Sequence, residues 1–347
     1  MKIKFRNPLL RQMPKLLLVT LALGTFVLSA FAQVNPSSFP SKPIKVIVGY
    51  SAGGAVDIVA RALAQSMSQS MGVPFVIENK PGAGTNIAVR ALIGAEPDGS
   101  TLMLAANALA ANMALYQPAP FDAERELSVV SLVGSVPVVI ADRSDSSLKT
   151  ISQVIDASKK APNSITFASP GNGSTPHLAM EIFNYAAGIE LTHIPYKGGA
   201  QAITDVLGGQ TQLLAMNALE VLPHVKSGKL RVLAVLSAKR TAMLPDALTL
   251  SEQGFPGFEA SVWYGLIAPL GTPEAIIAKL HQETQKALTS QLVKEKMTSV
   301  GGDVTLASTE QFKQLLHSER VRYQKLIEQA HIKPDDTCQK LFTDSMR

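Results

Sequence analysis

Residues Ile44 to Leu63 read IKVIVGYSAGGAVDIVARAL. An apolar run passes into small residues, and then Val56, Val59, Ala60, Leu63 and Met67 recur at the spacing of one buried helix face. The pattern predicts a strand over 44–50, a glycine-bearing loop and an amphipathic helix. The near-continuous apolar character of the strand fits burial on both faces, as in a parallel sheet. The unpaired N–H groups and positive end of the helix point at one spot, which makes an anion site without any arginine.

The same strand–loop–helix unit recurs outward from this stretch. Strands are predicted over 75–78 and 101–105, and a second set begins near 136–141. It continues with strands over 164–168, 190–194, 212–216 and 230–237, and a last strand over 263–269. Helices are predicted over 151–159, 177–186, 200–207, 273–288 and 309–329. This alternation is that of a mainly parallel α/β sheet. The chain is expected to form two interleaved lobes joined by crossings near 136–141 and 258–267. The first lobe takes residues 33–137 plus 258–347 and the second takes 138–257.

Residues 1–32 read as a cleaved export signal. Lys2, Lys4, Arg6, Arg11 and Lys15 precede an apolar run from Leu16 to Ala30, and Ala30-Phe31-Ala32 has the small-x-small form of a cleavage site. The expected location is therefore periplasmic. The whole chain carries 32 Lys+Arg and 27 Asp+Glu, and the signal holds five of the basic residues and no acid. The remainder is neutral, which removes the electrostatic support for a nucleic-acid partner. Cys338 is the only cysteine, so no internal disulfide forms. No metal-ligand spacing appears, and neither metal nor cofactor is expected.

Three glycine-rich loops each follow a strand and precede a helix: Ser51–Gly54, Gly82–Asn86 and Ser169–Thr175. Ligands in open α/β sheets bind where such loops meet, outside the carboxyl ends of strands. The candidates in the first loop are Tyr50, Ser51, Ala52, Gly53 and Gly54. In the third they are Ser169, Gly171, Asn172, Gly173 and Ser174. Each loop also reads as an ordinary turn whose hydroxyls cap a helix. Tyr196 and Lys197 follow a strand and offer a phenol and an ammonium, or form a surface turn. Asn107 and Asn217 sit at strand ends and either bond a ligand or cap the next helix. Asp57 would repel an anion beside it, so it orders the loop or meets an amino group. Gly53→Val and Gly173→Val are expected to abolish binding by blocking backbone approach.

Gly49-Tyr50-Ser51-Ala52-Gly53 also fits the GxSxG elbow of serine hydrolases. The alternative reading is an exported esterase with Ser51 as nucleophile and His281, His317 or His331 as partner. Against it, almost nothing but the signal precedes this strand, whereas a hydrolase elbow follows several strands. The chain is not expected to be an enzyme.

Several segments in order carry a family resemblance. They include Ala52-Gly53-Gly54 with Asp57 and Ala60-Arg61, Glu78-Asn79-Lys80-Pro81-Gly82-Ala83-Gly84, and Pro97-Asp98-Gly99. Further along come His177-Leu178-Ala179-Met180-Glu181, Pro195-Tyr196-Lys197-Gly198, Gly228-Lys229-Leu230-Arg231 and Ala268-Pro269-Leu270-Gly271-Thr272-Pro273. The chain resembles the periplasmic solute receptors of tripartite tricarboxylate transporters, the Bug receptors. The resemblance implies a type II periplasmic-binding-protein fold, two interleaved α/β lobes with a ligand cleft between them. It implies closure around a small organic anion held by loop amides and hydroxyls, and delivery to a two-subunit membrane permease.

Overall fold

The computed structural model describes residues 39–333 except Ala242 and Val300. The expected export signal and the tail with Cys338 lie outside the described residues. The chain opens with β1 (Ile44–Val48), α1 (Ala55–Met71), β2 (Phe75–Asn79), α2 (Asn86–Ile93), β3 (Thr101–Ala106), α3 (Ala108–Leu115) and α4 (Ala123–Glu126). The long β4 (Leu127–Arg143) leads to α5 (Ile151–Lys160), β5 (Thr166–Ser169), α6 (Thr175–Ala187), β6 (Thr192–Pro195) and α7 (Gly199–Leu207). Then come β7 (Leu213–Asn217), α8 (Ala218–Lys226), β8 (Leu230–Val235) and β9 (Ser261–Pro269). The last elements are α9 (Glu274–Thr289), α10 (Gln291–Ser299), β10 (Asp303–Val304) and α11 (Thr309–Gln329).

The strands lie in the order β2-β1-β3-β9-β4-β7-β5-β6, with β8 and β10 also paired to β4. Two parallel blocks result: β1 with β2 and β3, and β5 with β6 and β7. The strands between them are antiparallel, which corrects the mainly parallel expectation. The cause is the path of the chain. β4 carries it away from the first block and β9 brings it back, so the two run in opposite senses. Leu127 to Pro137 pair with β9, whereas Val138 onward pairs with β7 and Val139 onward with β8.

Alternation along the strands distributes side chains to different cores. In β4, Val138 and Ile140 join one apolar cluster with α1, α5 and α6, while Val139 and Ala141 join another with α7 and α8. In β1, Ile44, Val46 and Val48 enter the first of these, and Ile47 turns to a third with α2, α3 and α11. Helices thus cover both faces of each block, and two α/β lobes share β4. The α1 stripe is buried as its spacing required, with Val59, Ala60, Leu63 and Met67 all within 2% exposure.

Candidate functional site

The loops that end β1, β5, β6 and β7 meet between the lobes. Ser51 donates through both its amide and its hydroxyl to the Lys197 carbonyl, at 3.2 and 2.8 Å. Gly198 approaches Ser51 so closely that a Cβ would stand 3.1 Å from the serine Cβ. A Cβ on Gly84 would stand 2.7 Å from the Asn172 carbonyl, and one on Gly173 only 2.1 Å from Asn112 Oδ1. The lobes are therefore closed on each other. The space left between them is about 20 Å3, room for roughly one water. It is lined by Tyr50, Gly54, Ala55 and Val56 from the first lobe and by Ser174, Thr175, Gly199, Asn217 and Glu220 from the second.

Helix α1 begins without a side-chain cap of its own, since its N-cap is Gly54. The Ala55 amide instead donates to Glu220 Oε1 at 3.1 Å, so a carboxylate of the opposite lobe caps the helix. Asn217 Nδ2 donates to the same oxygen at 3.1 Å. Glu220 stands in the first turn of α8 and so lies at two helix starts, both of which favour negative charge. Burial pushes its pKa above the ordinary carboxylate value, and the Ala55 and Asn217 bonds act against that rise. Gly199 makes the room: a Cβ there would meet Glu220 Oε2 at 1.7 Å. The buried Tyr264 hydroxyl has no hydrogen-bond partner among the described residues, and burial first, then the nearby Glu220 and Tyr50, push its pKa up.

Asp57 is the other acid at this helix start. Its carboxylate accepts from the Gly53 amide (3.0 Å), Asn79 Nδ2 (2.9 Å), Arg61 Nε (2.8 Å) and Arg61 Nη2 (2.9 Å). Burial alone would raise its pKa, but these bonds and the Arg61 charge hold it below the ordinary value. Asn79 also donates to the Tyr50 carbonyl, so Asp57 orders the whole first loop.

Of the residues proposed from sequence, Tyr50, Gly54, Ser174 and Asn217 line the cavity. Ser51 and Lys197 meet each other at its rim, with the Lys197 side chain exposed. Gly53 is held at φ +86°, and a Cβ there would meet nothing within 4 Å, so a valine acts through backbone strain rather than by blocking approach. Ala52 is exposed in the same turn. Ser169 is turned to His193 and Gly171, and Ser174 caps α6 while donating to the Gly171 carbonyl. Asn172 is buried, and its side-chain amide has no partner among the described residues. Tyr196 donates to Asp205. Asn107 is consumed elsewhere: it bonds Glu319, Tyr323, the Ser261 carbonyl and the Trp263 amide and ties β3 to β9 and α11.

The sequence reading missed Glu220 and Gly199. The available signal was Asn217 followed three residues later by Glu220 at a strand end, which reads as an ordinary capping box. A larger concavity of about 740 Å3 lies on the first lobe alone, lined by Arg125, Arg320 and Lys333 among others. It draws on none of the strand-end loops.

Residues 59–332 match the family described as "Tripartite tricarboxylate transporter family receptor". This chain belongs to that family. Over 315 residues it is 34% identical to Protein BugT of Bordetella pertussis, covering 90% of this chain and 97% of that protein. The structure of the periplasmic binding protein BugD superposes with a TM-score of 0.81 at 32% identity, covering 86% of this chain and all of that one. MatC from Rhodopseudomonas palustris with bound malate gives a TM-score of 0.80 at 28% identity, covering 83% of this chain and all of that one. Rpa4515 of R. palustris with adipate gives 0.82 at 28%, covering 86% of this chain and all of that one. As a tripartite tricarboxylate transporter family receptor, the chain is a solute-binding protein and not an enzyme, with the type II two-lobed fold. Ser51 accordingly spends its hydroxyl on a carbonyl of the facing lobe. Among the described residues, no helix is long and apolar enough to cross a membrane, and no group of His, Cys, Asp and Glu is arranged to hold a metal.

Proposed function

We propose that the chain is exported to the periplasm, captures a small organic carboxylate between its lobes and delivers it to a two-subunit membrane permease. The observation that carries this reading is the space where the β1, β5, β6 and β7 loops of both lobes meet. Around it stand the first-loop residues, the Ser174 and Thr175 hydroxyls and the start of α1, groups of the kind that bind a small acid without arginine, with Glu220 among them. The space is too small for any such solute, so capture requires the lobes to part and close again. The Ser51–Lys197 bonds are the latch that solute entry releases and closure restores. Malate and adipate in the two R. palustris structures support a small diacid or a relative of one as the solute class.

We take the lobes to divide between Pro137 and Val138, a reading the change of β4 partners supports, and again near Phe258. The first lobe then takes residues 33–137 plus 258–347, and the second 138–257. Residues 1–32 are the export signal.

A thermal-stability screen of the purified protein against mono-, di- and tricarboxylates and amino acids tests the reading. Binding to the folded state alone raises stability by about 2.7 kcal/mol at a hundredfold excess over Kd. A rise in Tm with at least one organic acid is expected, and no rise with any of them overturns the reading. N-terminal sequencing of the periplasmic protein should begin at Gln33, whereas an uncut chain contradicts export by cleavage.

A further inference from the structure

We propose that Glu220 is a recognition group for a cationic nitrogen, so that the preferred solute is an amino acid rather than a plain di- or tricarboxylate. This rests on the reading of the cleft as a carboxylate site and narrows it.

Three observations carry it. The first is the state of the carboxylate. Oε1 is occupied by the Ala55 and Asn217 N–H groups, whereas Oε2 accepts no hydrogen bond from any described residue. An oxygen at the cavity wall with no donor from the protein gains most from a charged donor supplied by the ligand. The second is the charge of the surroundings. Glu220 lines the space between the lobes, and no lysine, arginine or histidine is among the described residues lining it. A dianionic solute entering there would meet a like charge with nothing to offset it, whereas an ammonium would find its counter-ion. The third is the construction. Gly199 begins α7 without a Cβ, and any larger residue would occupy the place of Oε2. Room for the acid is thus provided by a residue on a different helix of the same lobe.

The solute's own carboxylate takes the first-loop amides that no described residue accepts from, those of Ala52 and Gly54. Asn217, on the cavity wall, adds an Oδ1 with no partner among the described residues, a second acceptor for the ammonium.

The rival role for Glu220 is a protonated carboxyl that donates to a solute carboxylate. Matched pairs differing only in the amino group separate the two: succinate and aspartate, glutarate and glutamate, adipate and 2-aminoadipate. Calorimetric titration of the exported protein and of Glu220→Gln with each pair is the test. The expected result is that the amino member of at least one pair binds the native protein about tenfold or more tighter than its partner. Glu220→Gln should lose that preference, and Glu220→Asp should keep part of it. Equal or tighter binding of the plain acids by the native protein overturns the inference while leaving the carboxylate reading intact. Retention of the amino preference in Glu220→Gln also overturns it. Failure of every compound in all pairs to bind the native protein overturns this inference, whereas the carboxylate reading falls only if the wider stability screen is also blank. The native-protein comparison decides even if Glu220→Gln folds poorly.

Discussion

Two carboxylates face the start of helix α1, one from each lobe, and they are used in opposite ways. Asp57 accepts four hydrogen bonds, all from its own lobe, and has nothing left to offer a solute. Glu220 reaches across from the other lobe, uses one oxygen on Ala55 and Asn217, and leaves the second open beside the interlobe space. Both are acids at a helix N-terminus, where either would be explained by the dipole alone. What separates them is donor accounting: a satisfied carboxylate holds a loop in shape, and an unsatisfied one facing a cavity is available for recognition.

The largest expected effect falls on the satisfied acid. Asp57→Ala leaves the Gly53 amide and Asn79 without their acceptor and frees Arg61, and should cost about 3 kcal/mol in urea unfolding. Glu220→Gln should cost about 1 kcal/mol or less by the same measurement, because amide oxygen still accepts from Ala55. Equal losses would erase the distinction between the two acids.

The pH dependence of stability sharpens it, because the two pKa values move in opposite directions. Asp57 is held below its ordinary 3.8, so its contribution is present above that pH and disappears as pH falls through the folded-state value. Glu220 is raised above 4.5, so its contribution is complete below that pH and is lost as pH rises through the folded-state value. Asp57→Asn should therefore flatten the acid end of the stability profile, and Glu220→Gln the limb above pH 4.5. His177 adds a separate acid-sensitive limb. It is stacked on His193 with ring centroids 4.0 Å apart, and burial lowers its pKa from 6.5 to about 3. Its contribution is whole above pH 6.5 and declines by about 1.4 kcal/mol per pH unit as pH falls toward the folded-state value. His177→Gln should remove that slope in chemical denaturation between pH 6.5 and 4, and an unchanged slope would refute a neutral buried His177.

Gly199→Ala drives a methyl into the position of Glu220 Oε2 and should cost about 1–3 kcal/mol while weakening solute binding. A variant that binds as well as the native protein would mean that Glu220 can move freely and is not built in. The smallest effect is expected for Ser51→Ala, which removes one cross-lobe hydrogen bond. It should shift the open–closed balance by about 1 kcal/mol, read as a few-fold change in Kd.

The helix stripe from Val56 to Met67, the glycine loops and the strand ends were legible because period and composition speak directly about backbone and burial. The first half of β4 was not, because Gly134 and Ser135 read as a break, whereas pairing to β9 carries the strand through them. Helix α3 escaped notice because its residues are buried on nearly every side, which leaves no periodic contrast. In α8, Pro223 interrupts the pattern although the helix continues through it. Among site residues, Tyr50, Gly54, Ser174 and Asn217 could be placed from strand-end position alone. Glu220 could not, since its partner Ala55 lies 165 residues away and only the packing of the lobes brings them together. Asn107, at an equivalent strand end, went to a structural network for the same reason: long-range neighbours decide what a polar side chain bonds.

A crystal structure of the protein with its tightest-binding solute tests the central claim most directly. The account predicts the solute between the lobes, touching the Ala52 and Gly54 amides on one side and Glu220 with Ser174 or Thr175 on the other. A solute lodged in the outer concavity beside Arg125 and Arg320, with the interlobe space unchanged, would contradict it.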